Sequence, residues 1–236
     1  MTGPAGPRAR VEAAGRLPDE DGRAPDVLVW INGPFGGGKT QTAHNLARRL
    51  PGAAVCDPEH LGFGLHRMLP PALRGDFQDL PAWRTGTVDM LALAARRHPG
   101  PLIVPMTVTE PGYFTETVGR LRELGHDVRH FTLLADRATV LRRLAEREPV
   151  HHLRRLARLP APPQGESFAV RRLDDCLHRL AAPAFATHLH TDRLTVTQVA
   201  DRIARLAGLH PRPDTDSAPR AALRRAAVKL RALRLD

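Results

Sequence analysis

Aromatic residues are scarce in this 236-residue chain, at 4%, with one tyrosine, Tyr113, and seven phenylalanines that do not interleave with basic residues. That scarcity speaks against stacking-based recognition of single-stranded nucleic acid. Cysteine is rarer: Cys56 and Cys176 are too few for a disulfide framework, and no Cys/His cluster has zinc-ligand spacing. No apolar run approaches the ~20 residues that cross a bilayer. The first residues, MTGPAGPRARVEAAGRLPDEDGRAPD, lack the apolar stretch of a secretory signal. These absences predict a cytoplasmic protein, with any membrane contact being peripheral on the inner face.

What is present begins with charge. Thirty-five Lys and Arg against 25 Asp and Glu give a net charge of +10, carried mostly by arginine. A basic surface attracts nucleic acid, anionic lipid or a polyanionic nucleotide, and the poverty in aromatics puts nucleic acid last.

Residues 1 to 25, rich in Gly, Pro, Ala and charge, read as a disordered N-terminal tail. Residues 26 to 210 then alternate short apolar runs with helical patterns. Five runs read as strands: VLVWIN (27–32), AAVCD (53–57), LIVPMTVT (102–109), VRHFTLLA (128–135) and ATHLHTD (186–192). Helices are expected at 40–50, 87–97, 115–124 and 138–147. Strands alternating with helices predict a doubly wound, parallel five-stranded α/β sheet. Two segments break the rhythm. Residues 148–170, basic and then rich in Pro and Gly, read as a mobile lid, and 211–236 as a basic, imperfectly amphipathic C-terminal helix with Leu223, Ala226, Ala227, Leu230 and Leu233 on its apolar stripe.

The chemistry is announced by GPFGGGKT (33–40), a full match to G-x-x-x-x-G-K-[ST] with an apolar strand leading in and a helix leading out. Glycines let successive backbone N–H groups turn toward an anion, and the helix N-terminus adds positive potential. Gly33, Pro34, Phe35, Gly36, Gly37, Gly38, Lys39, Thr40 and Gln41 form the expected nucleotide site. Lys39 reaches the β- and γ-phosphates, and Thr40 supplies a hydroxyl to Mg²⁺. The third strand lacks the terminal acid of a Walker B segment, and no N-K-x-D signature of GTPases occurs. Both absences favour the compact nucleotide-kinase branch over motors and switches.

Asp57 ends the second strand, at the sheet edge where α/β proteins bind ligands. It can serve as base toward an acceptor hydroxyl; Asp57-Pro58-Glu59 reads equally as a helix cap with proline behind it. Arg143 and Arg147 share a helix face before the lid and could neutralise a transferring phosphoryl group, or form a solvated basic face. Phe63, Trp83, Arg84 and Thr107 are candidates to line an acceptor pocket, although a tryptophan is more often core.

The blocks WINGPFGGGKTQTAHNL, CDPEHLGFGLHRMLP, DFQDLPAWR, LIVPMTVTEPGYF, HFTLLA and TDRLTVTQVADRIA occur in an order that resembles the tunicamycin resistance proteins of bacteria, over about residues 27 to 236. The resemblance implies a P-loop kinase-like fold and an ATP-binding protein that protects against tunicamycin, a nucleoside antibiotic built on uridine with sugars and an acyl chain. It also implies peripheral association with anionic membrane through the C-terminal helix. The wider fold is similar to chloramphenicol phosphotransferase and the nucleotide kinases, where an acid at the place of Asp57 serves as base. The lid-like stretch RLARLPAPP departs from the family in being longer and richer in proline. The expected function is therefore ATP- and Mg²⁺-dependent phosphorylation of a tunicamycin hydroxyl. Sequestration of the antibiotic without chemistry, or a general nucleoside or nucleotide kinase, are the alternatives.

Overall fold

The computed structural model describes residues 27–145 and 172–231. The N-terminal tail, the lid reading at 148–170 and Arg147 lie outside the described residues.

Five parallel strands make one sheet in the order β2-β3-β1-β4-β5: β1 (Val27–Asn32), β2 (Ala54–Val55), β3 (Leu102–Pro105), β4 (Asp127–Leu134) and β5 (His188–His190). β1 lies at the centre, all six of its residues buried, with Ile31 opposite Pro105 on one side and Phe131 on the other. Burial on both faces explains why its sequence is a continuous apolar run rather than an alternation.

Both faces are covered. On one, α1 (Lys39–Arg49) and α8 (Val196–Leu206) pack Ala43, Leu46, Val199 and Ile203 against Val27, Val29 and Ile31. On the other, α3 (Pro81–Arg97) packs Trp83, Val88, Leu91 and Ala92 against Leu28, Trp30 and Val104. Beside it runs α4 (Pro111–Phe114), which continues through a π-helical turn (Thr115–Gly119) into α5 (Arg120–Glu123). Among the described residues the remaining α-helices are α2 (Glu59–Met68), α6 (Arg137–Ala145), α7 (Leu173–Leu180) and α9 (Ala218–Arg231).

Several boundaries differ from the sequence reading. β3 ends at Pro105 instead of running to Thr109. Proline cannot donate to a neighbouring strand, and after the Met106 amide reaches the Ile31 carbonyl at 3.0 Å the chain turns toward the phosphate loop. α3 begins six residues early because Pro81 occupies the first helical turn, where its missing N–H costs nothing. α8 opens with a reciprocal Thr195–Gln198 capping box.

The chain after α8 is fastened to α1. Arg49, buried, donates to the Arg212 carbonyl at 2.7 Å and pairs with Asp201 at 2.6 Å, and the Arg212 amide returns a bond to the Arg49 carbonyl. Among the described residues no helix is long and apolar enough to cross a membrane.

Candidate functional site

The phosphate loop leaves β1 through Asn32, which is fully buried. Its Oδ1 accepts the amides of Gly33 at 2.8 Å and Val108 at 3.0 Å, and its Nδ2 donates to the Val108 carbonyl at 2.8 Å. Thr107 completes the fastening, its hydroxyl donating to the Gly33 carbonyl at 2.9 Å. Thr107 was expected to line the acceptor pocket; it is instead buried, and its polar atom holds the first residue of the loop.

None of the four glycines in the loop can be replaced without strain. Gly36 has φ +78, and a Cβ there would stand 2.8 Å from Leu144 Cγ on α6. Gly38 has φ +90 and, as the N-cap, sets the start of α1. Lys39 is 7% exposed and donates to the Pro34 carbonyl at 3.1 Å, with the Phe35 ring 5.6 Å away. The lysine is thus folded across its own loop, close to where phosphates would lie. Thr40 follows on the first turn of α1, half-buried. A tight loop of left-handed glycines, a buried ammonium and a helix N-terminus fits a polyphosphate. No group of three His, Cys, Asp or Glu side chains among the described residues could hold a metal alone. A divalent ion at Thr40 would draw its remaining ligands from phosphate and water.

Asp57 follows β2 on the same edge of the sheet. Its Oδ1 accepts the Glu59 amide at 3.0 Å, at the start of α2. Burial, reinforced by the charge of Glu59, raises its carboxyl to about 6, against the pull of that amide, His60 and Lys39. A carboxylate with this value is a competent proton acceptor near neutral pH. It also walls a cleft of about 230 Å³ whose other surfaces are chiefly apolar, Cys56, Leu61, Met90 and Leu91 among them.

Trp83 is fully buried and donates to the Pro58 carbonyl at 3.0 Å. It props the residue next to Asp57 and does not line a pocket, a correction that follows from its being core to α3. Phe63 is half-buried and meets Phe77 edge-to-face at 5.9 Å. Arg84 is 9% exposed; its Nε donates to Glu116 at 2.6 Å and its Nη1 to the Gln78 carbonyl at 2.5 Å, while Tyr113 covers the guanidinium at 4.4 Å. Arg143 donates to the Thr191 hydroxyl and carbonyl at 3.1 and 2.7 Å just after β5.

Sequence reasoning missed Asn32, Tyr113 and Glu116. The rule that ligands meet the carboxyl ends of parallel strands would have directed attention to the acids in TEPGYFTE, directly after β3.

Comparison with known proteins agrees with this geometry. Residues 28–160 match a family model described as an AAA domain. The structure of the tunicamycin resistance protein of Deinococcus radiodurans is 38% identical, with a TM-score of 0.63, over 81% of this chain and 99% of that one. A sugar kinase from Janibacter is 20% identical with a TM-score of 0.51, over 77% of this chain and 94% of its own, a likeness of fold. A nucleotide-binding protein from Desulforudis audaxviator is 26% identical over 184 residues, which are 77% of this chain and 52% of that protein. The chain therefore spans about half the length of that curated relative.

Proposed function

The chain belongs to the tunicamycin resistance protein family, and from that premise we propose that it is an ATP-dependent phosphotransferase acting on a hydroxyl of tunicamycin or a related uridine compound. The observation that carries the reading is Asp57: a half-buried carboxyl raised to about 6, on the sheet edge that also carries the phosphate loop. In this reading the amides of residues 33–40 and the Lys39 ammonium hold the triphosphate. Thr40 would hold Mg²⁺, which when bound offsets charge on the β- and γ-phosphates. Asp57 orients the acceptor hydroxyl and takes its proton as the oxygen attacks the γ-phosphorus. Arg143 and Arg147 would steady the transferring group.

The helix α9 gives this reading a place to work. Leu223 is 73% exposed, and Ala222, Ala226 and Ala227 are exposed beside the basic Arg220 and Arg224. A basic helix with outward apolar residues suits peripheral contact with anionic lipid, where an acylated substrate would partition.

Incubation of the protein with ATP, Mg²⁺ and tunicamycin, followed by mass spectrometry, tests the proposal. A mass increase of one phosphate, absent with Lys39→Ala, is the expected result. The cap bond that Asp57 already makes to Glu59 favours one rival, sequestration without chemistry. Binding that depends on nucleotide, leaves the antibiotic unmodified and survives Asp57→Asn would establish that rival instead.

A further inference from the structure

Arg84, Arg172 and Arg179 are each matched by a carboxylate from another element. Arg84, at the start of α3, holds Glu116 from the π-helical turn at 2.6 Å. Arg172, leading into α7, lies 3.7 Å from Asp76, next to the turn that carries Phe77 and Gln78. Arg179 on α7 pairs with Glu110, the residue that caps α4, as well as with Asp175 on its own helix. Trp83, the neighbour of Arg84 on α3, ties that helix to Pro58, beside Asp57.

The Arg84 site is the most informative because it is the most buried. Guanidinium groups recognise phosphates and carboxylates by presenting paired N–H donors with a net positive charge. Here one donor edge meets Glu116, another meets a backbone carbonyl, and one face lies against Tyr113, whose hydroxyl donates to Asp79 at 2.8 Å. A phosphate arriving at Arg84 would have to displace Glu116 and then remain beside it. Like charges held that close oppose binding. A neutral, hydroxyl-rich acceptor meets none of these penalties. It can use the outward carboxylate oxygens and the Gln78 region as hydrogen-bond partners.

We infer that the acceptor side is charge-balanced, that it selects an uncharged alcohol over its phosphorylated counterpart, and that Glu116 is the residue that sets this preference. The inference rests on reading the Asp57 side as the acceptor site, and it separates this chain from a nucleotide kinase built on the same frame. Glu116 acts through Arg84 and is a positioning residue; it is 53% exposed, so replacing it removes little packing.

The test uses the full chain saturated with a non-hydrolysable ATP analogue and titrated calorimetrically with uridine and with UMP. The intact protein should bind UMP at least about tenfold more weakly than uridine, and Glu116→Gln should tighten UMP binding by about tenfold or more, as expected when a charged hydrogen-bond partner is released. Adding Arg84→Gln to Glu116→Gln should abolish that gain, and Glu116→Asp should keep the original preference. Unchanged affinity for the ATP analogue reports that each variant is folded. Wild-type protein that binds UMP as tightly as uridine overturns the inference. So does a Glu116→Gln variant whose response to UMP is the same as wild type, including no response from either. Phosphoryl transfer is read separately, by mass spectrometry of tunicamycin with ATP: a missing product with the charge preference intact removes the kinase reading and leaves this one standing.

Discussion

Asn32 and Val108 exchange a reciprocal pair of hydrogen bonds, the Asn32 side chain standing in for the next residue of a strand that has already ended. β1 gives way to the phosphate loop at this residue, and β3 has ended three residues earlier, so backbone groups that a sheet would satisfy are left without a ladder. The asparagine carboxamide has the one geometry that offers both a donor and an acceptor there, with capacity left for the Gly33 amide.

Asn32→Ala should therefore destabilise the fold by about 3 kcal/mol, since buried backbone groups lose their partners at about 1–3 kcal/mol each and part of the loss is recovered by relaxation. Asn32→Asp keeps the acceptor but loses the donor and should fall between. Urea denaturation measures both. A wild-type midpoint for Asn32→Ala would mean that the bonds contribute nothing net.

Gly62 shows why α2 tolerates two glycines in EHLGFGLHRM. A Cβ at Gly62 would sit 2.5 Å from the Phe77 ring, which itself packs against Trp83 and His66. Alanine would gain about 1 kcal/mol in helix propensity but would force the ring aside at about 1–3 kcal/mol. Gly62→Ala should be less stable by about 1 kcal/mol. Because displacing Phe77 moves Gln78, which holds Arg84, the variant should bind tunicamycin less tightly with little change for nucleotide. Parallel titrations of the two ligands separate these effects.

How much of this was legible beforehand varies with the physics involved. β1 and the phosphate loop were readable because a doubly buried strand, a glycine pattern and a helix start are all local signals. β3 was read too long because Met106, Val108 and their neighbours are apolar and buried after the strand has ended, so the apolar run continues where the hydrogen-bond ladder stops. The Arg84–Glu116 pair was invisible because 32 residues separate the partners and a solvated charge looks the same in sequence as a paired one. Trp83 was ambiguous for the opposite reason: its indole is core, and only its single N–H touches the segment beside Asp57.

The Asp57 carboxyl makes a pH prediction with a definite sign. Its folded value, about 6, lies above its ordinary 3.8, so between those values the native state holds a proton that the unfolded chain has released. Stability should fall as pH rises through that window and then level off. Asp57→Asn should flatten this dependence and gain up to about 3 kcal/mol at pH 7. If Asp57 is the base, kcat/KM should rise with pH around a midpoint of about 6, and Asp57→Asn should lose that limb with about 10²- to 10⁴-fold of the rate. A variant both more stable and far less active is the expected signature; equal activity across the pH range would remove Asp57 from the chemistry.

Asp214 offers the last test, at the other end of α1 from the phosphate loop. Its carboxylate accepts from Arg48 at 2.7 Å, Asn45 at 2.9 Å and Thr197 at 2.9 Å, joining α1 to α8. Asp216, which also reaches Arg48, holds Arg224 at 2.9 Å, so the two acids fasten the root of α9. Desolvation works to raise the Asp214 carboxyl, but the bonds from Arg48, Asn45 and Thr197 outweigh it and hold the group below its ordinary range. The stabilisation it provides is therefore present above its ordinary 3.8 and is lost only as pH falls well below that. Asp214→Ala should cost about 2 kcal/mol and free the C-terminal segment, so that trypsin removes it faster while the remaining domain stays intact. Affinity for an ATP analogue should hold within about threefold, because Gly38 and Lys39 begin the helix whose far end is disturbed. Cleavage at the wild-type rate would show that α9 is held by other contacts; a large loss of nucleotide affinity would show that α1 transmits its anchoring to the phosphate loop.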